Sequence, residues 1–532
     1  MDNYFMARLS KVASCALVVL IATNSPLAAQ DLTPMEAAAG GYPIPGDVWL
    51  YEKELACQKA LKTPGYYKSL NGAEIADAHR SGHFPCWSFT GSWKDANQVF
   101  AHKSDDKHIG AYYFNNRRPG ELFLAGGGTP TDQNIPQAPF VAKVDPSSGQ
   151  TIWKTYLGNP PIQNFWNANS NLNILENGNI VFMWSTRVAL IDPGSGRILK
   201  ISDQLPSGDA RPEDVNFKHL TAAPDGTLIL KNQNRPTGCT YQGTLAITLC
   251  LQEDKIQAAS HLVAMNPDTL EILDDIDLPR SASSPHIVTT WEGRIATYFA
   301  DDASLMRVWW DPELKELKLD ENFETVTQLE GQTTGTAPTL MGDWLVVQNN
   351  GNGSYEIASS LIAVHQGDPT RVRRIFPHGD LDVESGEWSY APPKAGSDPE
   401  NNMVFSSDMG MGSVAAVHID PATGEMEVVY LLEDMNNTFQ PTFGPKDQRV
   451  LITSDMVLND PSQKLQDAYF EQNYSEVLRW REAATGRLLA ESDPMEPLLP
   501  NALFTPGYGG RIYFPTVDGR FYILQVKPAQ AE

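Results

Sequence analysis

Residues 141–154 read VAKVDPSSGQTIWK. The first half is a short apolar strand. Asp145-Pro146-Ser147-Ser148-Gly149 then supplies turn chemistry: the Asp side chain accepts from nearby backbone, Pro presets φ, and Gly tolerates positive φ. Gln150 to Lys154 reads as the return strand. A lone hairpin of this kind is marginal in water, so the unit needs neighbours.

The chain supplies them. VALIDPGSGRILK begins at Val188, LVAMNPDTLEIL at Leu262, VWWDPELKELK at Val308, LIAVHQGDPTRVRRIF at Leu361, AAVHIDPATGEMEVV at Ala415 and VLRWREAATGRLLA at Val477. Self-similarity at a period of roughly 40–50 residues, with several strands in each repeat, is the signature of a β-propeller. The segments before the hairpins, such as NLNILENGNIVFMW from Asn171, HLTAAPDGTLILKNQ from His219 and HIVTTWEGRIATYFA from His286, carry Gly-centred turns between alternating apolar residues. That pattern predicts antiparallel meanders and not helices. The stretch ALFTPGYGGRIYFPTVDGRFYILQV, from Ala502, adds about three strands to the seven hairpin units. A strand from CWSFTGSW, Cys86 to Trp93, is expected to complete that last blade, so that the two chain ends close the ring and leave no free sheet edge. The expected fold is therefore all-β: an eight-bladed propeller over 86–528, with seven blades as the alternative. A small N-terminal cap precedes it at 30–85, with helical composition from Tyr51 to Lys62 and a second short helix expected from Leu70 to Arg80.

Residues 1–29 read as a secretory signal peptide: Arg8 and Lys11 precede an apolar run from Val12 to Ala22, and Ala28 and Ala29 offer a cleavage site. No later segment is apolar enough to span a membrane. The mature protein is expected to be periplasmic or secreted. Beyond Cys15, an even set of Cys57, Cys86, Cys239 and Cys250 in an exported chain suggests two disulfides, with local pairing Cys57–Cys86 and Cys239–Cys250 preferred. Zinc-type CxxC spacing and the CxxCH signature of haem c are both absent. A net charge of −25 argues against nucleic acid as a partner, which would need a basic patch.

The apolar strand, Asp, Gly-containing turn and trailing Trp, seen in Ala142, Asp145, Gly149 and Trp153, resemble the pyrroloquinoline-quinone (PQQ) type propeller repeat. That family includes quinoprotein alcohol dehydrogenases and the propeller lipoprotein of outer-membrane assembly, typically with eight blades. The resemblance runs from about residue 86 onward. It implies an oxidoreductase with PQQ and Ca²⁺, or an assembly role. The chain departs from it in several places: the repeat Trp stands only at Trp153, no adjacent Cys-Cys pair exists, no Glu/Asn/Asp set for Ca²⁺ is evident, and there is no lipid-attachment cysteine.

Residues that begin inner strands face a propeller's channel. His219 lies seven residues before Gly226, His286 seven before Gly293, Asn171 seven before Gly178, and Thr336 seven before Asp343. This register predicts that Asn171, His219, His286 and Thr336 share one level of the ring. Lys218, Tyr390 and Gln440 lie near equivalent starts. His219 and His286 are candidates for an acid–base pair or for metal ligands; the competing reading is that they cap backbone groups at strand ends. Three functional readings follow. One is a channel that binds a small molecule, with oxidoreductase chemistry implied by the resemblance and PQQ with calcium, or another divalent metal, as its cofactor. A second is a hydrolase or lyase using the two histidines, and a third is a non-catalytic periplasmic scaffold with a protein partner. The acidic stretch from Asp380 to Glu387 fails the EF-hand spacing, and neither a phosphate-binding Gly loop nor a G-x-S-x-G elbow occurs.

Overall fold

In the computed structural model the described residues are 48–128, 137–158, 171–241 and 246–529, less 252, 254, 283, 302, 334, 352, 385–386, 392–393, 437 and 500–501. The segment read as a signal peptide lies outside them. The described strands form eight sheets, each an antiparallel run of consecutive strands save for two strands that join from the N-terminal part of the chain, one of them parallel. Blades 1 to 7 span 113–156, 171–201, 215–277, 287–326, 339–375, 396–432 and 442–491. Blade 8 combines three strands within 505–528 with Asn97–Lys103. The eight-bladed, all-β expectation holds.

The closing strand is not the one expected. Asn97–Lys103 pairs antiparallel with Phe521–Pro528, Asn97 opposite Pro528 and Lys103 opposite Tyr522. Residues 86–93 hold no strand. Cys86 is tied to Cys57 by a disulfide and Trp87 donates to the Arg511 carbonyl at 3.0 Å, so this stretch is held as a buried strut against blade 8. The seven hairpins quoted above are the third-to-fourth strand connections of blades 1 to 7. Blade 8 lacks one because its outermost strand comes from the other end of the chain.

The hairpin turns repeat one construction. The Asp145 carboxylate accepts from the Ser147 and Ser148 amides at 2.8 and 2.9 Å, and Asp420 does the same for Ala422 and Thr423 at 2.8 and 3.0 Å. Asn266 and Asp311 serve in blades 3 and 4. Where glycine is missing from the turn's left-handed position, Leu270 and Lys315 adopt φ of 53° and 54°.

These turns are also where blades lock together. A Cβ on Gly196 would lie 2.5 Å from the Trp153 ring, and one on Gly424 would lie 2.6 Å from Trp344. Gly149 meets Phe521, and Gly486 meets Tyr430, in the same manner. In each pair an aromatic ring of one blade rests on the bare glycine of the next blade's hairpin. Trp153 is thus one instance of a docking rule that other rings satisfy from other strands: Trp344 donates to the Pro421 carbonyl at 3.1 Å and Tyr430 to Ala483 at 2.7 Å. The second strands Ile180–Trp184, Leu228–Asn234, Trp344–Gln348 and Met403–Asp408 are buried throughout, because blades cover both of their faces.

The N-terminal segment packs against the inner strands of the ring. Helix Val48–Ala60 matches the expected helical stretch. Residues 70–80 form no helix: Ile75, Ala76 and Arg80 sit at φ of 55°, 80° and 50°, conformations that a right-handed helix excludes. This segment instead crosses the inner strands. Asn71 bonds Asn116 and Phe114 of blade 1, and Gly72 accepts from Ile174 of blade 2. The Tyr66 hydroxyl accepts from the Ala222 amide of blade 3 at 2.7 Å. Ala78 accepts from Val288 of blade 4 at 2.9 Å, and Ser81 from the Ser397 hydroxyl of blade 6 at 2.8 Å. His83–Phe84 finally adds a parallel fifth strand to blade 7, beside Thr442–Phe443.

Candidate functional site

The candidate site is built where the cap meets the inner strands of blades 2 to 4. Arg80 is 1% exposed and ion-pairs with Glu74, also in the cap. Its Nε donates to the His286 carbonyl at 2.9 Å, and its second terminal nitrogen to the Leu220 carbonyl at 3.3 Å. Glu74 in turn accepts from the Asn171 amide group, while its backbone amide donates to the Asn173 side chain at 2.7 Å. One cap ion pair thus gathers Asn171, the strand carrying His219, and His286.

His219 sits mid-strand in Val215–Ala222, opposite Lys231, and His286 immediately precedes Ile287–Trp291. Both rings are buried. Burial holds the His219 imidazole well below its usual range, reinforced by Lys231, Arg80, Lys218 and His286. His286 is lowered for the same first reason, then by Arg80 and Lys231, with the Ile229 backbone opposing. Both rings are therefore neutral at pH 7.

Lys218 occupies a β-bulge. Phe217 pairs with Asn232 and His219 with Lys231, so Lys218 is the extra residue, with no partner on the adjacent strand. Bulges re-aim side chains and recur beside functional sites. Lys218 is half-buried, and no described residue hydrogen-bonds its ammonium. Burial lowers it to about 8 against the pull of Glu74. Lys394 is lowered further, to about 7, by burial and by Arg80, with Asp77 opposing. It is already engaged, donating to the Pro338 and His79 carbonyls at 2.5 and 3.2 Å. Arg80, Lys218, Lys231 and Lys394 thus stand against the carboxylates of Glu74 and Asp77, a local excess of positive charge inside a protein of net charge −25.

The remaining expected residues are bonded elsewhere. Thr336 precedes strand Thr339–Met341, and its amide donates to the Gln348 carbonyl at 2.7 Å. Gln440 donates to the Ser407 hydroxyl at 3.0 Å between blades 6 and 7. Tyr390 lies outside the inner strands, its ring 5.3 Å from Trp388 and 6.1 Å from Tyr469. Both disulfides pair as expected, with Cα separations of 5.5 Å for Cys57–Cys86 and 5.8 Å for Cys239–Cys250. Glu74 and Arg80 were not expected at the site, since the cap lies outside the repeat and no periodicity registers it to the blades; Lys394, just before the blade 6 inner strand Gly396–Asp398, was not singled out either. A surface indentation of about 450 Å³ between blades 2 and 3, lined by Lys200, Ser202, Asp203, Thr269 and Glu271, includes none of these residues.

The PQQ–Ca²⁺ group implied by the repeat does not fit this constellation. The Glu74 carboxylate is taken by Arg80 and Asn171, and the charged groups that act on His219 are the cations Lys231, Arg80 and Lys218. The two disulfides close separations of 29 and 11 residues, so neither is an adjacent pair.

No family model and no curated protein sequence matches the chain. Solved structures do match. The quinohemoprotein alcohol dehydrogenase of Comamonas testosteroni superposes with a TM-score of 0.55 at 11% identity, over 94% of this chain and 85% of that one. The quinohemoprotein alcohol dehydrogenase ADHIIG of Pseudomonas putida HK5 gives 0.55 at 10% identity, over 90% and 82%. The chain is similar to PQQ-type eight-bladed propellers in fold. No helix among the described residues is long and apolar enough to cross a membrane.

Proposed function

We propose that this protein, exported from the cytoplasm, binds a small carboxylate-bearing molecule in the channel beneath its cap, with Lys218 as the group that meets the carboxylate. The observation that carries the reading is the bulged Lys218: an ammonium with no hydrogen-bond partner among the described residues, opposed only by the charge of Glu74, which Arg80 already pairs, and lowered by burial to about 8. A carboxylate supplies the charge that this arrangement lacks. Neutral His219 and His286 stand beside it as hydrogen-bonding groups, and Asn171 and Arg80 fix the wall around them. The two disulfides and the apolar stretch at 12–22 support export.

A second reading, a hydrolase or lyase, rests on the two neutral imidazoles of neighbouring blades, which are in the right protonation state to accept a proton. The oxidoreductase reading rests on fold likeness alone.

The test is thermal unfolding and calorimetric titration with a series of mono- and dicarboxylates, and separately with PQQ plus Ca²⁺. A ligand bound only by the native state raises the midpoint with concentration. The expected result is a saturable shift with a carboxylate, weakened at least about tenfold by Lys218→Met and falling as pH rises through about 8, where the ammonium loses its proton. A shift with PQQ that requires Ca²⁺ and ignores Lys218→Met transfers the reading to a quinoprotein. No shift with any of them leaves a scaffold.

A further inference from the structure

We propose that His83, Asp398 and Glu400 bind a divalent metal ion of the zinc type, which joins the cap to blade 6. Their ligand atoms lie within 4.8 Å of one another, and they form the one group of three such residues among those described. The site is separate from the channel residues above: His83 belongs to the cap strand His83–Phe84, and Asp398 ends the inner strand Gly396–Asp398.

Hydrogen bonding sets the histidine's tautomer. The Thr442 hydroxyl donates its single proton to the Ser397 carbonyl at 2.6 Å. Toward His83 Nδ1, 2.9 Å away, Thr442 therefore accepts, so Nδ1 carries the proton. In the neutral ring Nε2 then presents a lone pair, facing Glu400 Oε2 at 3.5 Å. Asp398 is 1% exposed, and its Oδ1 is buried with no hydrogen-bond partner; His83 Nε2 is likewise buried without one. His83 Nε2 and Asp398 Oδ1 thus stand buried without a hydrogen-bond partner beside Glu400, whose Oε2 accepts from Arg449. An outer hydroxyl that orients a ligating imidazole is the usual support of a metal site.

Arg449 does not complete the set. It reaches Asp398 Oδ2 at 3.0 Å and pairs with Glu400, and Asn401 also donates to Asp398 Oδ2, at 2.7 Å. These contacts leave Oδ1 open, and two carboxylates against one guanidinium leave a net negative charge. Tetrahedral zinc with ligands at about 2.0–2.2 Å brings donors to about 3.4 Å apart. Glu400, 47% exposed in its side chain, closes that remaining distance by turning a carboxylate oxygen from Arg449 toward the ion, and gives the ion a path from solvent. One nitrogen and two oxygens suit Zn²⁺ or Co²⁺, with water in the fourth position.

The experiment is titration of chelator-treated full-length protein with Zn²⁺ by calorimetry, and with Co²⁺ by visible absorption. One ion per chain is expected, with tetrahedral Co²⁺ bands and a raised unfolding midpoint. Affinity should fall at least about tenfold in both His83→Gln and Glu400→Gln. Glu400 is half-exposed, so its variant decides the matter if the His83 variant does not fold. Absence of saturable binding, or binding unchanged by Glu400→Gln, overturns the proposal and leaves a proton alone between His83 and Glu400.

Discussion

Arg80 and Glu74 form an ion pair that is buried at both ends, and both partners belong to the cap although the pair's other hydrogen bonds reach blades 2, 3 and 4. The cap is therefore an integral part of the ring. Breaking a buried pair strands one charge without compensation, at about 3–5 kcal/mol. Arg80→Met should lower stability by that amount in denaturant titration and expose residues 63–84 to protease. An unchanged midpoint would mean that the cap contributes little to the ring.

The Cys57–Cys86 bridge ties helix Val48–Ala60 to the strut that leads into blade 8. Its sequence separation of 29 corresponds to about 3–4 kcal/mol in the chain-entropy treatment. Replacing both cysteines by alanine should cost up to that amount. The same change at Cys239 and Cys250, which close 11 residues within an insertion, should cost less. Unfolding curves of the two double variants compare them directly.

Gly196→Ala should destabilise through two effects, a Cβ 2.5 Å from Trp153 and a φ of 72°. Overpacking of this kind typically costs about 1–3 kcal/mol, on top of about 1 kcal/mol for the left-handed backbone. Gly226, at φ 89° with open space around it, isolates the second effect. Equal losses for Gly196→Ala and Gly226→Ala would remove the ring-on-glycine lock from the account.

Glu54 is raised from 4.5 to about 8, first by burial, against hydrogen bonds from Gly509 and Ser88 and the charge of Arg511. Its folded pKa lies above its unfolded value. The native state's preference for the protonated form is therefore fully present below about pH 4.5 and is lost as pH rises toward about 8. Relative to Glu54→Gln, the protein should lose stability steadily across that window. Unfolding free energies measured at several pH values check this, and a flat difference would show that Glu54 ionises in the fold as it does unfolded.

Much of the fold is legible because it is repetitive. Asp145, Asp192, Asn266, Asp311 and Asp420 each organise a turn through their own side chains, and local chemistry of that kind leaves a mark in sequence. The seven-residue register to the turn glycines, which singled out Asn171 and His219 on inner strands and His286 just before one, is equally local. The strand Asn97–Lys103 escaped notice because all of its side chains are exposed or partly so and its partner lies more than 400 residues away, at Phe521–Pro528. The stretch 70–80 looked helical by composition. Three left-handed residues and hydrogen bonds to several blades override that propensity.

Sequence alone determined the ring: the number of repeats, the turn chemistry and the pairing of cysteines close in sequence follow from patterns each blade carries within itself. Tertiary structure alone decided what fills the ring. Arg80 meets His286 and Leu220, and His83 meets Asp398 and Glu400, across separations that no periodicity encodes. The cap is a single, unrepeated segment whose polar groups find partners only where eight inner strands already converge, so its contacts exist only once the propeller has closed.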